Sequence, residues 1–502
     1  MKRKILLLMS LTLVLTSSSF FLPLYISQNI DNDKLSTDEL TIGESRGVIP
    51  AIKQLYSLQE KGSREWLRLA KKLARNDGEI ANELAMFYGQ QGNNKDTLYW
   101  LVKAKELGNK NARYALIEHL ITEHNYNQAI TLLSPILDEE KAFKFRVKVA
   151  LLLGDVAFIK EQLLTLKDNP NATTQLQYLV NLIKKYKILA EDSYLAPNSD
   201  SNVLQPIVLN TSTINHCDNS IQFFATSLND LQHVELLIEQ FNRHKLAEAF
   251  CFQTVRYIPI NELNCQYQQG NAIRCDESIW QMKSATISSR FIAVMLPQGG
   301  ANVHLGMLYL DNQDTVEVLA HEVSHLLGFV DEYPLPNHHL KCAAVQSTPF
   351  AHNAVVLQRF YQGNRDLLRK NILKQLPWAG KIAKSTPILT ATKSGWKLGT
   401  PKDYSGSIGV YPSSTCDNSN VSSFRPLARN TQLTYFELDF PKEYFEILKS
   451  SRYDFRMPSY HYNVALALFN KHQISEARIW LTHAAEFELK PKRKTKILKG
   501  DF

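Results

Sequence analysis

Apolar residues recur every three or four positions through 63–166, broken only by short polar gaps, and this spacing predicts helices throughout. A weak internal period runs through the pattern. Leu84-Ala85-x-x-Tyr88-x-x-x-Gly92 precedes an amphipathic stretch that ends at Gly108. Thirty-two residues later, Leu116-Ile117-x-x-Leu120-x-x-x-His124 is followed by Tyr126-Asn127-Gln128-Ala129-Ile130. Near the C-terminus, Val464-Ala465-x-x-Leu468-x-x-x-His472 precedes Ile474-Ser475-Glu476-Ala477-Arg478. Between these regions the pattern changes. Strand-like runs at 221–226, 249–260, 291–296 and 303–310 alternate with an amphipathic helix at 228–244, and an apolar helix follows over 316–329. That alternation predicts an α/β domain. Helical signals are sparse over 393–424, where Gly, Ser, Pro and Asn are dense.

The helical period resembles tetratricopeptide-type hairpins, whose repeat is about 34 residues; generic helical hairpins give the same stacked pairs and groove. The chain is thus expected to be multidomain, an α-helical tetratricopeptide-like region plus an α/β domain. The expected divisions are a signal peptide or membrane anchor at 1–27, a linker at 28–62, the helical repeats at 63–188 and a Pro- and Ser-rich linker at 189–210. The α/β domain follows at 211–440, then a C-terminal helical hairpin at 441–489 and a basic tail at 490–502.

Charge changes this picture little. The net charge of +8 is accounted for by Lys2, Arg3 and Lys4 and by an excess of five in 490–502. A body near neutrality argues against a nucleic-acid groove. The Lys-Arg-Lys start and the mostly apolar run to Ile26 read as an export element, either cleaved or retained as an anchor. Six cysteines, all within 217–416, agree with an oxidising compartment. Six allow 15 connectivities. Local spacing favours Cys265–Cys275; Cys217–Cys251 would link the start of a strand–helix unit to its following strand, and Cys342–Cys416 would then staple the segment after the apolar helix to a later loop. No C-x-x-C pair suggests a structural zinc cluster. The chain is therefore expected in the cell envelope, in the periplasm or anchored to the inner membrane, with secretion as an alternative.

The chemistry concentrates at His321-Glu322-Val323-Ser324-His325. Histidines at i and i+4 present both imidazoles on one helix face, where they can bind one Zn2+. Glu322, on the adjoining flank, is placed to act as the general base toward a zinc-activated water. Gly328 can end the helix in a left-handed turn, bringing Asp331 to the metal as a third ligand; Glu332 is the alternative. Tyr333 either donates to an oxyanion or packs under the helix. His338, His339 and His352 read as surface or loop residues.

The whole H-E-x-x-H-x-x-G-x-x-D pattern resembles the metzincin consensus, with Asp where most members have His. Its continuation, Asp331-Glu332-Tyr333, resembles the IgA-peptidase-like group of metallopeptidases, in which the acidic pair usually sits one residue later. The resemblance covers about 206–440 and is specific over 320–333. It implies a metzincin-like zinc peptidase domain and endopeptidase chemistry. It also implies an antiparallel edge strand ahead of the active helix that pairs with extended substrate. The run at 303–310 is the candidate, with an internal strand as the other reading. One feature departs from the family. Phe424-Arg425-Pro426 resembles the Arg-Pro element ahead of the family's methionine turn, but Asn430-Thr431-Gln432-Leu433 follows without a Met, and Met457 lies far downstream.

The expected function is a zinc metalloendopeptidase acting on protein or peptide substrates, with a partner possible on the helical repeats and membrane contact through an uncleaved N-terminus. The alternatives are a catalytically degenerate, metal-stabilised binding scaffold and a zinc amidase acting on a non-protein substrate. Glu322 favours the enzyme, because a purely structural site needs no such carboxylate.

Overall fold

The computed structural model of the chain describes residues 23–29, 35–136, 139–189, 217–266, 272–336, 339–417, 420–451 and 453–501. Most of the apolar N-terminal run and nearly all of the 189–210 linker lie outside them. No helix among the described residues is long and apolar enough to cross a membrane. The chain divides into two compact units at 149/150.

The first unit is helical. Its helices begin earlier than expected, with α1 (Thr37–Ser45) and α2 (Ile49–Ser57) inside the segment read as a linker. The reason is local. Ser36 and Glu39 form a reciprocal capping box, with Ser36 N donating to Glu39 Oε2 at 2.8 Å and Glu39 N to Ser36 Oγ at 3.3 Å. Leu40, Ala51, Ile52 and Leu55 then join a core with Trp66, Leu69 and Leu84. Next come α3 (Arg64–Leu73), α4 (Gly78–Gln90), α5 (Asn94–Glu106), α6 (Lys110–Thr122) and α7 (Tyr126–Leu133), and α8 (Glu140–Leu153) crosses the division. Helices α4 and α5 pair across a three-residue turn in which Gly92 takes φ +70°. His124 takes φ +57° in the matching turn between α6 and α7, and His472 takes φ +61° near the C-terminus. The three positions aligned by the sequence pattern thus share one left-handed turn.

The second unit opens with α9 (Val156–Lys167) and α10 (Thr173–Tyr186), which had been grouped with the repeats. Lys185 and Tyr186 hold Glu235 of α11 (Leu228–Phe241) at 2.8 and 3.1 Å. The main sheet runs in the order β2 (Cys251–Phe252), β1 (Ser220–Ala225), β4 (Phe291–Leu296), β6 (Met307–Asp311) and β5 (Asn302–His304), with β3 (Arg256–Tyr257) also on β1. Strands β1 (Ser220–Ala225) and β4 (Phe291–Leu296) are buried along their whole length, as central parallel strands covered on both faces should be. The 303–310 run is not one strand. It folds as a hairpin of β5 (Asn302–His304) and β6 (Met307–Asp311), turned by Leu305 at φ +45° and Gly306 at φ +85°. Positive φ at both central residues gives the turn whose twist suits a two-residue hairpin. Strand β5 is therefore an antiparallel edge and β6 is internal.

Helix α12 (Val316–Leu326), the bearer of the histidines, packs with α11 against this sheet. Ile292, Val294, Met307 and Tyr309 share a core with Tyr460, Tyr462, Val464 and Leu468 of α15 (Tyr460–Asn470), and α16 (Ile474–Glu486) supplies Trp480 and Leu481. Each such fully buried side chain contributes about 1.5–3 kcal/mol. The C-terminal hairpin is thus part of the α/β core, not an appended domain. Nor is 490–502 a solvated tail. Helix α17 (Pro491–Lys499) buries Ile497, and Arg493 Nε donates to buried Glu488 at 2.6 Å. Before the hairpin, α13 (Arg365–Leu373) and α14 (Lys442–Ser451) accompany two three-stranded sheets, one of β8 (Phe360–Tyr361), β10 (Gly395–Leu398) and β9 (Leu389–Thr392), the other of β11 (Tyr411–Ser413), β12 (Ser422–Arg425) and β7 (Val355–Leu357). Disulfides join Cys217–Cys251, Cys265–Cys275 and Cys342–Cys416, the pairing that spacing favoured. Three such bonds fit an oxidising, exported environment.

Candidate metal centre

Both histidines have one ring nitrogen committed to a backbone carbonyl. His321 Nδ1 lies 2.9 Å from Gln432 O, and His325 Nδ1 lies 3.1 Å from Phe329 O. A carbonyl only accepts, so each Nδ1 carries a proton, and a ring with no second proton turns the Nε2 lone pair outward. Both lone pairs point at one atom. Asp331 Oδ1 lies 3.1 Å from His321 Nε2 and 3.3 Å from His325 Nε2. With both rings neutral three acceptors converge, an arrangement that needs a cation: a metal ion, or a proton on a ring nitrogen in the bare protein. Ligands at zinc distances in a tetrahedral shell stand about 3.3 Å from one another. The donor set and its separations fit such an ion.

In the bare protein a proton takes the place of that cation. Burial opposes charge on His325, but Asp331 outweighs it and pushes the imidazole pKa up to about 9. Burial also resists ionisation of Asp331, yet the two histidines hold its carboxyl well below the usual range. Glu322 is buried beside them, and ligand atoms of His321, Glu322 and His325 all lie within 4.8 Å of one another. Burial raises its pKa above that of an ordinary carboxylate, against the pull of both histidines. Glu322 sits next to the centre, while the closer approach to the two Nε2 atoms belongs to Asp331.

Asp331 is brought in by a sharp exit from the helix. Gly328 takes φ +97°, and a Cβ there would collide with the carbonyl of Phe455 and stand 2.6 Å from the Phe455 Cβ. Both the conformation and the close approach call for glycine. The following segment is pinned on several sides. Asn353 exchanges hydrogen bonds with the Val330 backbone at 2.8 and 2.9 Å, and Thr415 Oγ1 donates to Asp331 O at 2.8 Å. Leu335 N donates to Thr415 O at 3.0 Å, next to the Cys342–Cys416 bond.

Glu332, the alternative ligand, points elsewhere and is saturated. It accepts from Arg425 Nη1 at 2.9 Å, Thr431 Oγ1 at 2.9 Å, Asn353 Nδ2 at 3.0 Å and the Tyr444 hydroxyl. Arg425 is thus the counter-ion of Glu332, and the loop after it touches the centre. Gln432 O meets His321, and Leu433 O accepts from Glu332 N at 2.8 Å. Met457 does not lie there; its backbone N caps Leu326 O at 2.9 Å, at the end of α12.

Tyr333 is partly exposed, its ring 6.3 Å from that of His321 and nearly parallel to it. Burial, followed by the charge of Asp331, pushes its phenol up, so it keeps its proton. His352 is not a surface residue; it is fully buried between Phe329 and Phe455. Sequence reasoning missed the carbonyls of Gln432 and Phe329, because a backbone contact leaves no residue signature. It also missed Asn353, Thr431 and Tyr444 around Glu332, where an acidic residue beside the metal motif offered the only signal. No family model, curated protein or solved structure matches the chain.

Proposed function

We propose that the chain is a zinc-dependent endopeptidase of metzincin-like type, closest to the IgA-peptidase-like group, exported to the cell envelope. One observation carries the reading. Three acceptor atoms, His321 Nε2, His325 Nε2 and Asp331 Oδ1, converge on one point with their donors turned away, beside the buried Glu322 carboxylate. These three residues would hold the ion, and zinc there would supply Lewis acidity and bring the pKa of water toward neutrality.

The remaining chemistry belongs to the chain. Glu322 accepts the proton of the attacking water and returns it to the leaving amine. Its burial strengthens its electrostatic influence by limiting solvent screening. Gln432 O and Phe329 O hold the two imidazoles in the tautomer that a ligand needs, as partners behind metal-binding histidines commonly do. The Tyr333 hydroxyl, kept protonated at the rim, is a donor for the oxygen of the scissile carbonyl. Strand β5, the antiparallel edge ahead of α12, offers backbone groups to an extended peptide. One of them is already engaged, since Asn463 Nδ2 donates to His304 O at 3.0 Å. Substrate pairing would therefore use the Asn302 end. The helices of the first unit would serve as a holder for substrate or partner.

Metal analysis of purified protein should find about one zinc per chain, with none retained after His321→Ala or His325→Ala. Glu322→Gln should keep fold and zinc and lower hydrolysis of a mixed peptide library by about 10²–10⁴. If the zinc-loaded wild type cleaves nothing in that library, the chain is a metal-stabilised binding scaffold and the proposal falls.

A further inference from the structure

The near-neutral body conceals a segregated charge. Between Arg359 and Lys402 there are ten Lys or Arg residues and one acid, Asp366, a net +9 that exceeds the charge of the whole chain. The segment has its own architecture. Strands β8 (Phe360–Tyr361), β10 (Gly395–Leu398) and β9 (Leu389–Thr392) form a small antiparallel sheet, and α13 follows β8. Nine of the ten cations are exposed, and among the described residues only Lys381 of the ten makes an ion pair, with Glu446 at 3.5 Å. A run of like charge left unpaired costs the fold self-repulsion and favours an anionic partner.

Apolar groups stand among these cations. In the ladder Phe360 lies opposite Lys397, and Lys397 opposite Thr390, so the three share one face of the sheet. Phe360 is 60% exposed, and Leu367 at the start of α13 is 63% exposed. The Arg359 guanidinium lies 5.9 Å from the Phe360 ring, and that of Arg365 lies 5.8 Å from the Trp396 ring. Protruding apolar tips within a basic surface suit an interface that is anionic outside and apolar just beneath. Nucleic acids and acidic polymers satisfy the charge but give Leu367 nothing to enter.

We infer that the 359–402 lobe docks on an anionic phospholipid bilayer, with Phe360 and Leu367 entering the headgroup boundary and the surrounding lysines and arginines facing lipid phosphates. This does not depend on the peptidase reading.

The test uses the full-length chain on phosphatidylcholine vesicles, with or without about one third phosphatidylglycerol, and follows amide exchange by mass spectrometry. Exchange across 359–402 should slow only on the anionic vesicles. The K393E/K397E double variant changes two exposed residues and should lower that protection at least about tenfold. Phe360→Ala should make it more sensitive to salt, since charge alone is screened within about 3 Å near 1 M. Insertion of the N-terminal run cannot mimic a signal confined to the lobe. Unchanged exchange on anionic vesicles overturns the inference, as does equal protection on neutral ones. Protection by heparin but not by vesicles would assign the lobe to a soluble polyanion and overturn it as well.

Discussion

Two carboxylates adjacent in sequence, Asp331 and Glu332, are buried in opposite ways. Glu332 is surrounded by donors, with the Arg425 guanidinium, Asn353, Thr431 and the Tyr444 hydroxyl all bonded to it. Asp331 Oδ1 faces two nitrogens whose protons are engaged elsewhere. The first environment is complete as it stands, and the second is complete only with a cation. A carboxylate among donors is scaffold, whereas one among acceptors is a ligand. The same contrast marks the Glu488 cluster, where Arg290 and Arg493 bind both carboxylate oxygens at 2.5 and 2.6 Å.

The contrast breaks most directly at Arg425. Arg425→Ala leaves Glu332 charged and buried, and removing one partner of such a pair costs about 3–5 kcal/mol. Denaturant titration of zinc-free protein should show that loss; a change below about 1 kcal/mol, the scale of an exposed pair, would mean that Glu332 is not the closed hub described. Gly328→Ala comes next, at about 3 kcal/mol, because it combines a strained left-handed residue with a backbone collision. It should also weaken zinc binding, since the turn delivers Asp331.

Asp331→Ala should act on the metal more than on the fold. It leaves both histidines and Glu322 in place, so zinc still binds, but competition against a chelator should show affinity lowered by more than about a hundredfold, the upper range for outer-shell losses. Stability without metal should fall by less than at Arg425, because His325 can release its proton once Asp331 is gone, whereas Glu332 loses its cationic partner in Arg425→Ala. If Glu332→Gln lowers zinc affinity as far as Asp331→Ala does, the assignment of scaffold and ligand has been reversed.

Much of this was legible in the chain because it is local. The spacing of His321 and His325, the need for glycine at 328, the buried strands β1 and β4 and the Cys265–Cys275 bond all follow from neighbours or short separations. The register of the third ligand was not legible. It turns on Arg425, Thr431 and Tyr444, each more than 90 residues beyond Glu332, and no local pattern encodes their arrival. The same holds for α15, whose tyrosines read as an ordinary amphipathic helix and whose partners are in β4 and β6. Helices α1 and α2 were readable in principle from Ser36-x-x-Glu39, a capping box masked by the polar residues around it. The basic lobe was hidden by averaging, since its +9 vanishes into a neutral sum.

A third kind of buried polar group sharpens the contrast further, namely histidines packed among aromatic rings. His461 stacks on Trp480 and Phe487 at 5.3 and 5.1 Å, and His352 lies among phenylalanines. Burial pushes His461 down to about 3, with His483 and Arg290 adding to it, and pushes His352 down to about 4. An unfolded histidine titrates near 6.5, so below that pH the unfolded chain binds protons that the folded one refuses. Stability is therefore intact above about pH 7, falls as the pH drops through 6.5, and levels off only below about 4 for His352 and about 3 for His461. By pH 5 each residue should cost about 2 kcal/mol. Loss of zinc in acid would add to the slope, so the comparison is made with chelator present throughout. His461→Phe keeps a ring to stack on Trp480 and cannot titrate. Its stability should change by about 2 kcal/mol less than that of wild type between pH 7 and pH 5. An equal change in the two proteins would show that His461 takes up its proton in the folded state.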